Sequence, residues 1–300
     1  MNGFIIIDKP AGMTSHDVVS AVRRITGVKK AGHTGTLDPF ATGVLPVALG
    51  EGTKAIQFLD EARKEYRAVM KLGETTDTQD LTGAVTDGGD WRAVTPGDME
   101  KLIARYSGRI SQLPPMFSAL KHKGVPLYRL ARRGAEISRE LREIEIYSLV
   151  IDYFDLPEVA FTVACSRGTY VRTLAHDMGA ELGCGAHLVR LRRTMSGPFD
   201  LSKAVSLNLL SALAGAGEAA DLVISPYDAL DHLPDLQVND CGRMKVGHGI
   251  VPDRGEFTHL PAALFRQGIN LRISQGRRLL AVAEVAAGNE QSIRLVRVFN

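Results

Sequence analysis

The stretch GHTGTLDPFATG, residues 32–43, is the part of the sequence that most constrains fold and function. It places one carboxylate, Asp38, in a glycine-rich loop, five residues after His33. Pro39 restricts Asp38 to extended backbone conformations, and glycines allow close approaches that a β-carbon would block. Polar loop residues on a rigid scaffold often carry catalysis, although Asp, Thr and Gly are also ordinary turn residues. The loop is therefore either catalytic, with Asp38 at its centre, or a connecting loop with a capping aspartate.

Length and composition indicate a folded protein with room for two domains. The chain has 300 residues, of which 45% are hydrophobic, enough for buried cores. The longest apolar runs, such as residues 4–7, are too short to span a bilayer, and we expect no signal peptide and no membrane association. The three cysteines form no Cys-x-x-Cys pair, so the sequence predicts neither a disulfide framework nor a zinc site. A reduced, cytoplasmic location follows.

The charges are segregated along the chain, although the formal net charge is only +2. Residues 18–37 and 121–133 contain basic side chains and no acid, and residues 190–193 contain three arginines. Residues 74–100 are acidic, with Arg92 as their one basic residue. Separate basic patches suit a nucleic-acid surface with an acidic back, whereas any single basic run is also typical of a solvated face.

Hydrophobic periodicity predicts an α+β fold around the Asp38 loop. Residues 4–7 read as a buried strand, and a helix follows Thr14, whose spacing to Asp17 is that of a capping box, and ends at Gly27. Residues 66–72 and 159–165 alternate as half-buried strands. After Gly168, residues 171–178 carry a helical stripe, and residues 207–220 also read as a helix. Mixed strands and helices of this order predict a largely antiparallel sheet.

The character of the chain changes after Pro226. Residues 270–274, 279–285 and 293–299 read as short strands separated by turns. We therefore divide the chain into a domain of residues 1–230 and a small β-rich domain of residues 231–300, which is near the lower size limit for independent folding.

Three segments together resemble the TruB family of tRNA pseudouridine synthases. Residues 32–54 resemble the family's aspartate motif without a gap. The sequence DKPAGMTS at residues 8–15 resembles its Lys-Pro motif, and CSRGTYVR at residues 165–172 resembles its arginine motif. The resemblance is strong over residues 3–200 and weak beyond them. It implies the pseudouridine synthase fold, with a mixed, mostly antiparallel sheet around a central cleft, and a PUA-like RNA-binding domain at the C-terminus.

The resemblance also implies a reaction that a single carboxylate can support. Pseudouridine formation breaks the bond from ribose C1′ to uracil N1, turns the base and joins C1′ to C5, so nothing is oxidised or added. No cofactor is required, and the sequence has neither a phosphate-binding P-loop nor a dinucleotide fingerprint. Asp38 is the catalytic candidate, and could trap the sugar covalently or stabilise developing positive charge. Arg172 is its candidate partner, because arginine stays charged and can grip a carboxylate at two points.

The target uridine must leave the RNA stack to be modified, and an aromatic ring can then hold it. The family counterpart of Tyr66 stacks on the target base, and His33 resembles a histidine associated with the flipped-out nucleotides. The remaining candidates are pocket walls and possible phosphate contacts, namely Tyr170, Leu191, Lys9 and Lys54.

The implied partner is tRNA, bound at its T-stem loop, with the uridine at tRNA position 55 as the target. Residues 112–121 also resemble the family, although Phe117 stands where the family often has tyrosine. The basic stretch that follows, at about residues 121–150, resembles the insertion that grips the T-stem loop. We expect no protein partner and a monomer.

Two other classes of function compete with this interpretation. A metal-dependent phosphohydrolase could use the His-Asp pairs at residues 16–17 and 176–177, although no further ligand set is evident. A non-catalytic RNA-binding or RNA-folding protein could keep the fold without the activity. The presence of Asp38, Tyr66 and Arg172 together favours an enzyme.

Overall fold

The computed structural model describes residues 1–60, 62–259, 268–285 and 293–299. The helices in this part of the chain are α1 Ser15–Thr26, α2 Gly52–Ala55, α3 Pro96–Tyr106, α4 Leu127–Ala131, α5 Val171–Glu181, α6 Leu207–Ala216, α7 Pro226–Ala229 and α8 Asp240–Gly247. No helix in the described ranges has the length and apolar character needed to cross a membrane.

The strands are, in chain order, β1 Gly3–Lys9, β2 Ala31–His33, β3 Thr42–Leu49, β4 Arg63–Leu72, β5 Glu74–Thr76, β6 Val85–Gly88, β7 Gly108–Gln112, β8 Lys121–His122, β9 Val125–Pro126, β10 Arg142–Asp155, β11 Glu158–Ser166, β12 Ala186–Ser196, β13 Phe199–Asp200, β14 Asp235–Val238, β15 Phe257–His259, β16 Asn270–Gln275, β17 Arg278–Val285 and β18 Ile293–Val298.

A large mixed sheet forms the centre of the molecule. Its strands lie in the order β1-β3-β12-β4-β11-β10-β7, with β2 beside β3 and β13 beside β12. Neighbouring strands pair antiparallel except for β3 and β12, which pair in parallel at Arg192 with Thr42 and Arg193 with Gly43. The sequence prediction of an α+β fold with a mixed, mostly antiparallel sheet is confirmed.

The local sequence explains the elements nearest the Asp38 loop. Helix α1 begins after Thr14, where both hydrogen bonds of the predicted capping box with Asp17 are present, and it ends at Gly27 in the left-handed conformation. In β4, Tyr66 and the apolar residues at alternate positions after it face the core. Gly168, with φ +92°, turns the chain from β11 into α5, so that the start of α5 lies just beyond the end of the sheet.

A second sheet is built from the C-terminal residues. Its order is β15-β14-β16-β17-β18, and it surrounds its own cluster of buried apolar residues, including Leu236, Val246 and Ile273. Another cluster joins this sheet to the central one, because Val282 and Phe299 pack with Phe4 and other residues of β1 and β3. The strands predicted at the C-terminus are present, and the structure adds β14, β15 and α8.

Two predicted boundaries change. The helix expected over residues 207–220 ends at Ala216, because Gly217 takes the left-handed conformation, and a short 3₁₀ turn follows at Ala219–Leu222. The insertion expected at about residues 121–150 overlaps β10, a strand of the central sheet that begins at Arg142. Its part outside the central sheet is residues 121–141, which contain the β8–β9 hairpin and α4.

Candidate active site

The loop that carries Asp38 is fixed by hydrogen bonds on both sides of the carboxylate. The buried hydroxyl of Ser15 accepts from the backbone N–H of Leu37 at 2.8 Å and contacts its carbonyl at 3.2 Å. The ammonium group of Lys9 donates to the carbonyl of Pro39 at 3.2 Å, and the N–H of Gly12 donates to the same carbonyl at 2.8 Å. The Lys-Pro segment and the start of α1 therefore hold the residues next to Asp38, which leaves little freedom for its backbone.

Asp38 and Arg172 are brought together from distant parts of the sequence, as predicted. Nε of Arg172 lies 2.8 Å from Oδ2 of Asp38, and Nη2 donates to Oδ1 at 3.3 Å. The arginine side chain is only 3% exposed, whereas the carboxylate remains 33% exposed. A buried guanidinium therefore fixes the carboxylate of a side chain that stays partly accessible to solvent.

Arg172 is itself held by groups that the sequence did not identify as functional. Its Nη1 donates to the carbonyl of Thr78 at 2.8 Å, and its Nη2 donates to the carbonyl of Phe117 at 2.8 Å. The buried carboxylate of Asp80 lies 3.5 Å from Nη1. Asp80 is oriented in turn by Thr82, whose N–H and hydroxyl both donate to Oδ1. The only signal in the sequence was the alternation of threonines around one aspartate, which is typical of a hydrogen-bonded turn.

The network predicts the effect of substituting Asp80. Asp80→Asn keeps the shape of the side chain and removes the charge that faces Arg172. We expect the rate of the chemical step to fall about 10- to 100-fold, the effect of losing about 1.5–3 kcal/mol from one charged contact. Single-turnover kinetics would measure it. Asp87→Asn, at an exposed carboxylate on β6, is the control and should leave the rate unchanged. Equal rates for both variants would show that Asp80 does not orient Arg172.

Tyr66 lies on β4 in register with Arg193 of β12, and Leu191 lies two residues before Arg193 on the same strand. Both Tyr66 and Leu191 belong to the main hydrophobic cluster at its edge, with small exposed fractions. Burial raises the pKa of the Tyr66 hydroxyl, and the charge of Arg193 opposes this shift. Because Arg193 also donates to the carbonyls of Gly35 and Val44, this register places Tyr66 near the segment that carries Asp38.

His33 ends β2, the short strand just before the Asp38 loop. Its Nδ1 is buried and has no hydrogen-bond partner in the described residues. Burial lowers the pKa of the His33 imidazole, and the positive charges of Arg193 and Lys64 and the nearby His16 lower it further. A neutral imidazole with an unused nitrogen is suited to a neutral ligand such as a nucleobase.

Tyr170 caps α5 two residues before Arg172, and a side-chain amide fixes its backbone. Gln112 donates from Nε2 to the Tyr170 carbonyl at 3.0 Å and accepts from the Tyr170 N–H at 2.8 Å. Burial raises the pKa of the Tyr170 hydroxyl, and the nearby Ser118 side chain opposes this shift. The segment that resembles the family at residues 112–121 therefore supports Tyr170 through Gln112 and Arg172 through the Phe117 carbonyl.

The two lysines of the sequence prediction occupy different environments. Lys9 is fully buried, and burial lowers the pKa of its ammonium group to about 8, while nearby Asp38 raises it. The Lys9 ammonium group therefore hydrogen-bonds to the Asp38 loop and is not exposed to solvent. Lys54 lies beyond the far end of β3, where it pairs with Glu51 and donates to the carbonyl of Val298 at 3.1 Å. Lys54 and the Asp38 loop lie at opposite ends of β3, a strand of eight residues that is about 25 Å long.

Opposing effects act on the ionisation of Asp38. Burial raises the pKa of the Asp38 carboxyl above the ordinary value of an aspartate, and the negative charge of Asp80 adds to the rise. The charge of Arg172 and its hydrogen bond oppose this rise and favour the ionised form.

The His-Asp pairs at residues 16–17 and 176–177, which a metal-dependent phosphohydrolase could use, do not form one ligand set in the described residues. Asp17 is used in the capping box of α1, and His176 and Asp177 lie on α5 as half-buried residues. Burial raises the pKa of Asp177 to about 6. In the ranges that the structure describes, no group of three or more His, Cys, Asp and Glu side chains is arranged to hold a metal ion.

Solved structures of ribonucleoprotein and protein complexes contain chains that are similar to this one. One, described as an H/ACA RNP bound to a substrate RNA containing 2′-deoxyuridine, is 28% identical with a TM-score of 0.76, over 99% of this chain and 85% of that one. Another, a Cbf5-Nop10-Gar1 complex, is 30% identical with a TM-score of 0.75, over 99% and 84% of the two chains. The likeness over nearly the whole chain supports the pseudouridine synthase fold predicted from the sequence.

Sequence comparison then gives the family. Residues 23–171 match the TruB family pseudouridylate synthase N-terminal domain, and residues 172–230 match the tRNA pseudouridylate synthase B C-terminal domain. The tRNA pseudouridine synthase B of Geobacter sulfurreducens is 57% identical over 304 residues and covers all of both chains. The protein of the same name from Geotalea uraniireducens is also 57% identical, over 100% of this chain and 98% of its own. The chain belongs to the TruB family of pseudouridylate synthases.

Proposed function

We propose that this protein is a tRNA pseudouridine synthase that isomerises the T-loop uridine at tRNA position 55, with Asp38 as the catalytic carboxylate and without a cofactor. The observation that carries the proposal is the pairing of the partly exposed Asp38 with the buried Arg172 in a chain of this family. A rigidly held and partly accessible carboxylate, whose ionised form an arginine stabilises, is the group that chemistry at ribose C1′ requires.

The reaction needs two bond changes and one proton exchange. The C1′–N1 bond breaks, the uracil turns, and C1′ joins C5, which gives up its proton while N1 gains one. Asp38 either forms a covalent bond to C1′ or stabilises the positive charge that develops there. In both routes Arg172 favours the ionised form of the carboxylate and orients it, because it contacts both carboxylate oxygens and is itself fixed by the Thr78 and Phe117 carbonyls.

The neighbouring side chains would hold the flipped-out base. Tyr66 stacks on the uracil ring, Tyr170 and Leu191 form the walls of the pocket, and His33 lies beside the flipped-out nucleotides. Lys9 acts indirectly by holding the Asp38 loop, and Lys54 remains a candidate phosphate contact at the other end of β3.

The substrate class can be tested by mapping modified positions. Purified protein is incubated with unmodified tRNA that has been refolded in magnesium and then treated with excess chelator, and pseudouridine is located by chemical mapping. We expect one new pseudouridine, at position 55, with or without chelator. A protein that bound tRNA tightly but left it unmodified would instead be the non-catalytic RNA-binding alternative.

The basic insertion, defined here as residues 121–141, would grip the T-stem loop. It presents exposed basic side chains that form no ion pair within the described residues, namely Lys121, Lys123, Arg129, Arg132 and Arg133. Two of them lie over the ring of Tyr128, with the guanidinium of Arg129 at 6.0 Å and that of Arg132 at 5.6 Å from the ring centre. Free cations beside an aromatic ring suit a nucleic-acid backbone with exposed bases.

Neutralising part of the basic insertion should weaken tRNA binding and flatten its salt dependence. We expect the triple variant K123Q/R129Q/R133Q to lower the log–log salt slope by about 0.7 to 0.9 for each phosphate group that the variant no longer neutralises. Equilibrium binding at four or more salt concentrations would measure the slope.

The matched control removes the same charge elsewhere. The variant R92Q/K101Q/R105Q neutralises three exposed cations. In the structure they form surface ion pairs with Asp90, Asp98 and Glu181. Its slope should equal that of the unmodified protein. If the two triple variants had the same slope, the insertion would carry only solvated charges.

Residues 231–300 would form a PUA-like domain that adds affinity and no chemistry. Arg243 and Arg278 line a cavity of about 170 Å³ on this domain together with Leu280 and Phe299. We expect R243Q/R278Q to weaken binding of whole tRNA about 10-fold or more while an isolated T-arm stem-loop is modified at an unchanged single-turnover rate. A slower reaction on the stem-loop would show that the domain helps to build the active site.

The remaining expectations concern the state of the protein in the cell. We infer a cytoplasmic monomer that acts on tRNA without a protein partner. Sedimentation equilibrium of the protein with and without tRNA would test the stoichiometry, for which we expect one chain per tRNA.

A further inference from the structure

Arg193 is a fully buried cation behind the Asp38 loop. The sequence groups it with Arg190 and Arg192, and both of those pair with acids near the surface, Glu158 and Asp8. Arg193 differs, because its side chain is 0% exposed and none of the described residues gives it a carboxylate partner. Buried charges are normally paired, so this guanidinium has to be satisfied in another way.

Backbone carbonyl groups of the Asp38 loop satisfy it. Nε of Arg193 donates to the carbonyl of Val44 at 2.7 Å, Nη2 donates to that of Gly35 at 3.1 Å, and Nη1 contacts that of Thr36 at 3.4 Å. Two of these carbonyls precede Asp38 and one follows it. One side chain therefore ties together the two limbs of the loop that presents Asp38.

The backbone of Arg193 meets the same loop. Gly43, where the loop enters β3, pairs in register with Arg193, and a β-carbon at Gly43 would lie 2.2 Å from the Arg193 carbonyl. Gly43 also has a φ of +101°, which an L side chain rarely adopts. The loop can therefore close onto β12 at this point only because residue 43 is glycine.

The Arg193 side chain also lies beside Tyr66. Tyr66 and Arg193 are direct partners across β4 and β12, both side chains are buried, and the charge of Arg193 opposes the rise in the pKa of the Tyr66 hydroxyl that burial causes. The other ionisable groups that act on this hydroxyl are Cys165 and Asp38. Arg193 therefore lies beside both the loop that carries Asp38 and the side chain of Tyr66.

We propose that Arg193 is a positioning residue that fixes the Asp38 loop and the Tyr66 ring relative to each other, and so sets the geometry in which the uridine is held between them. The inference rests on the proposed function, because it takes from it the roles of Asp38 and Tyr66. Arg193 touches neither the sugar nor the base. It acts by holding three carbonyl groups of the loop segment on one cation, which is paired across the sheet with Tyr66.

The test begins with Arg193→Lys, which keeps the charge and loses the planar set of donors. We expect its single-turnover rate of pseudouridine formation to fall about 10- to 100-fold, because small displacements of reacting groups cost rates of this order. The Kd of this variant for tRNA should stay within about twofold of the wild-type value. The control is Arg67→Lys, on the exposed position of β4 next to Tyr66, which should keep both values.

A double-mutant cycle with Tyr66→Phe separates positioning from a general loss of stability. If Arg193 acts partly through the Tyr66 hydroxyl, the combined loss in R193K/Y66F should be smaller than the product of the two single losses by at least about threefold. Losses that multiply fully would overturn the link to Tyr66. An R193K variant that melts earlier but keeps the unmodified single-turnover rate would overturn the whole inference.

Tyr66→Phe alone carries the test if R193K does not fold. It removes only the hydroxyl, and hydrogen exchange of the backbone amides at residues 34–41 should then become faster. Unchanged exchange would overturn the inference. A wild-type protein that forms no pseudouridine would instead contradict the proposed function, so the two failures are distinguishable.

Discussion

Asp38→Asn should abolish pseudouridine formation while the protein still binds tRNA. The substitution preserves the side-chain shape and removes the charge that either attacks or stabilises C1′. We expect the single-turnover rate to fall by about 10⁴-fold or more, at or beyond the upper end of what one positioned catalytic group contributes. Binding should not weaken, because the variant has one negative charge less near an anionic ligand. Single-turnover modification and equilibrium binding, measured on the same preparation, would check both parts.

The control for this variant is Asp87→Asn, which removes an exposed carboxylate from β6. This variant should modify tRNA at the same rate as the wild-type protein. An Asp38→Asn protein with a rate within tenfold of wild type would remove Asp38 from the mechanism.

Arg172→Lys should have the second largest effect. A lysine keeps the positive charge but cannot hold both carboxylate oxygens of Asp38 and donate to the Thr78 and Phe117 carbonyls at once. We expect the chemical step to slow about 100-fold or more. Arg172→Met should in addition destabilise the fold by about 3–5 kcal/mol, because it leaves Asp38 and the buried Asp80 without their cation.

Kinetics and unfolding together would distinguish these effects. Arg109→Lys, an exposed substitution on β7, is the matched control and should change neither the rate nor the denaturation midpoint. A fully active Arg172→Lys protein would show that one point charge suffices and that the two-point contact has no catalytic role.

The sequence predicted secondary structure correctly where the signal lies within a few residues. The capping box at Thr14, the left-handed Gly27 and the alternation in β4 each depend on residues within a few positions, and the structure confirms them. The pairing of Asp38 with Arg172 came from matching family motifs. No local pattern could have predicted that residues 134 positions apart would meet.

The parts that the sequence did not reveal depend on long-range contacts. Asp80, Gln112 and Arg193 act through partners in other strands and loops, so their own neighbours in the sequence give no indication of their position. Arg193 even looked like part of a surface patch, because a single residue in a strand can face the core while the residues beside it face solvent. β10 was missed for a related reason, because a strand with bulges does not keep a clean alternation.

Release of hydrogen from uracil C5 reports the isomerisation of the base itself. Pseudouridine formation places C5 in the new bond to C1′, so a tRNA labelled with tritium at C5 of its uridines should lose label to water only at the isomerised position. With the wild-type protein in excess chelator, we predict release equal to one uridine per tRNA and no release from tRNA in which position 55 is cytidine. Asp38→Asn should release none on the same timescale. Equal release by the wild type and Asp38→Asn, or wild-type release that persists without the uridine at position 55, would contradict the account.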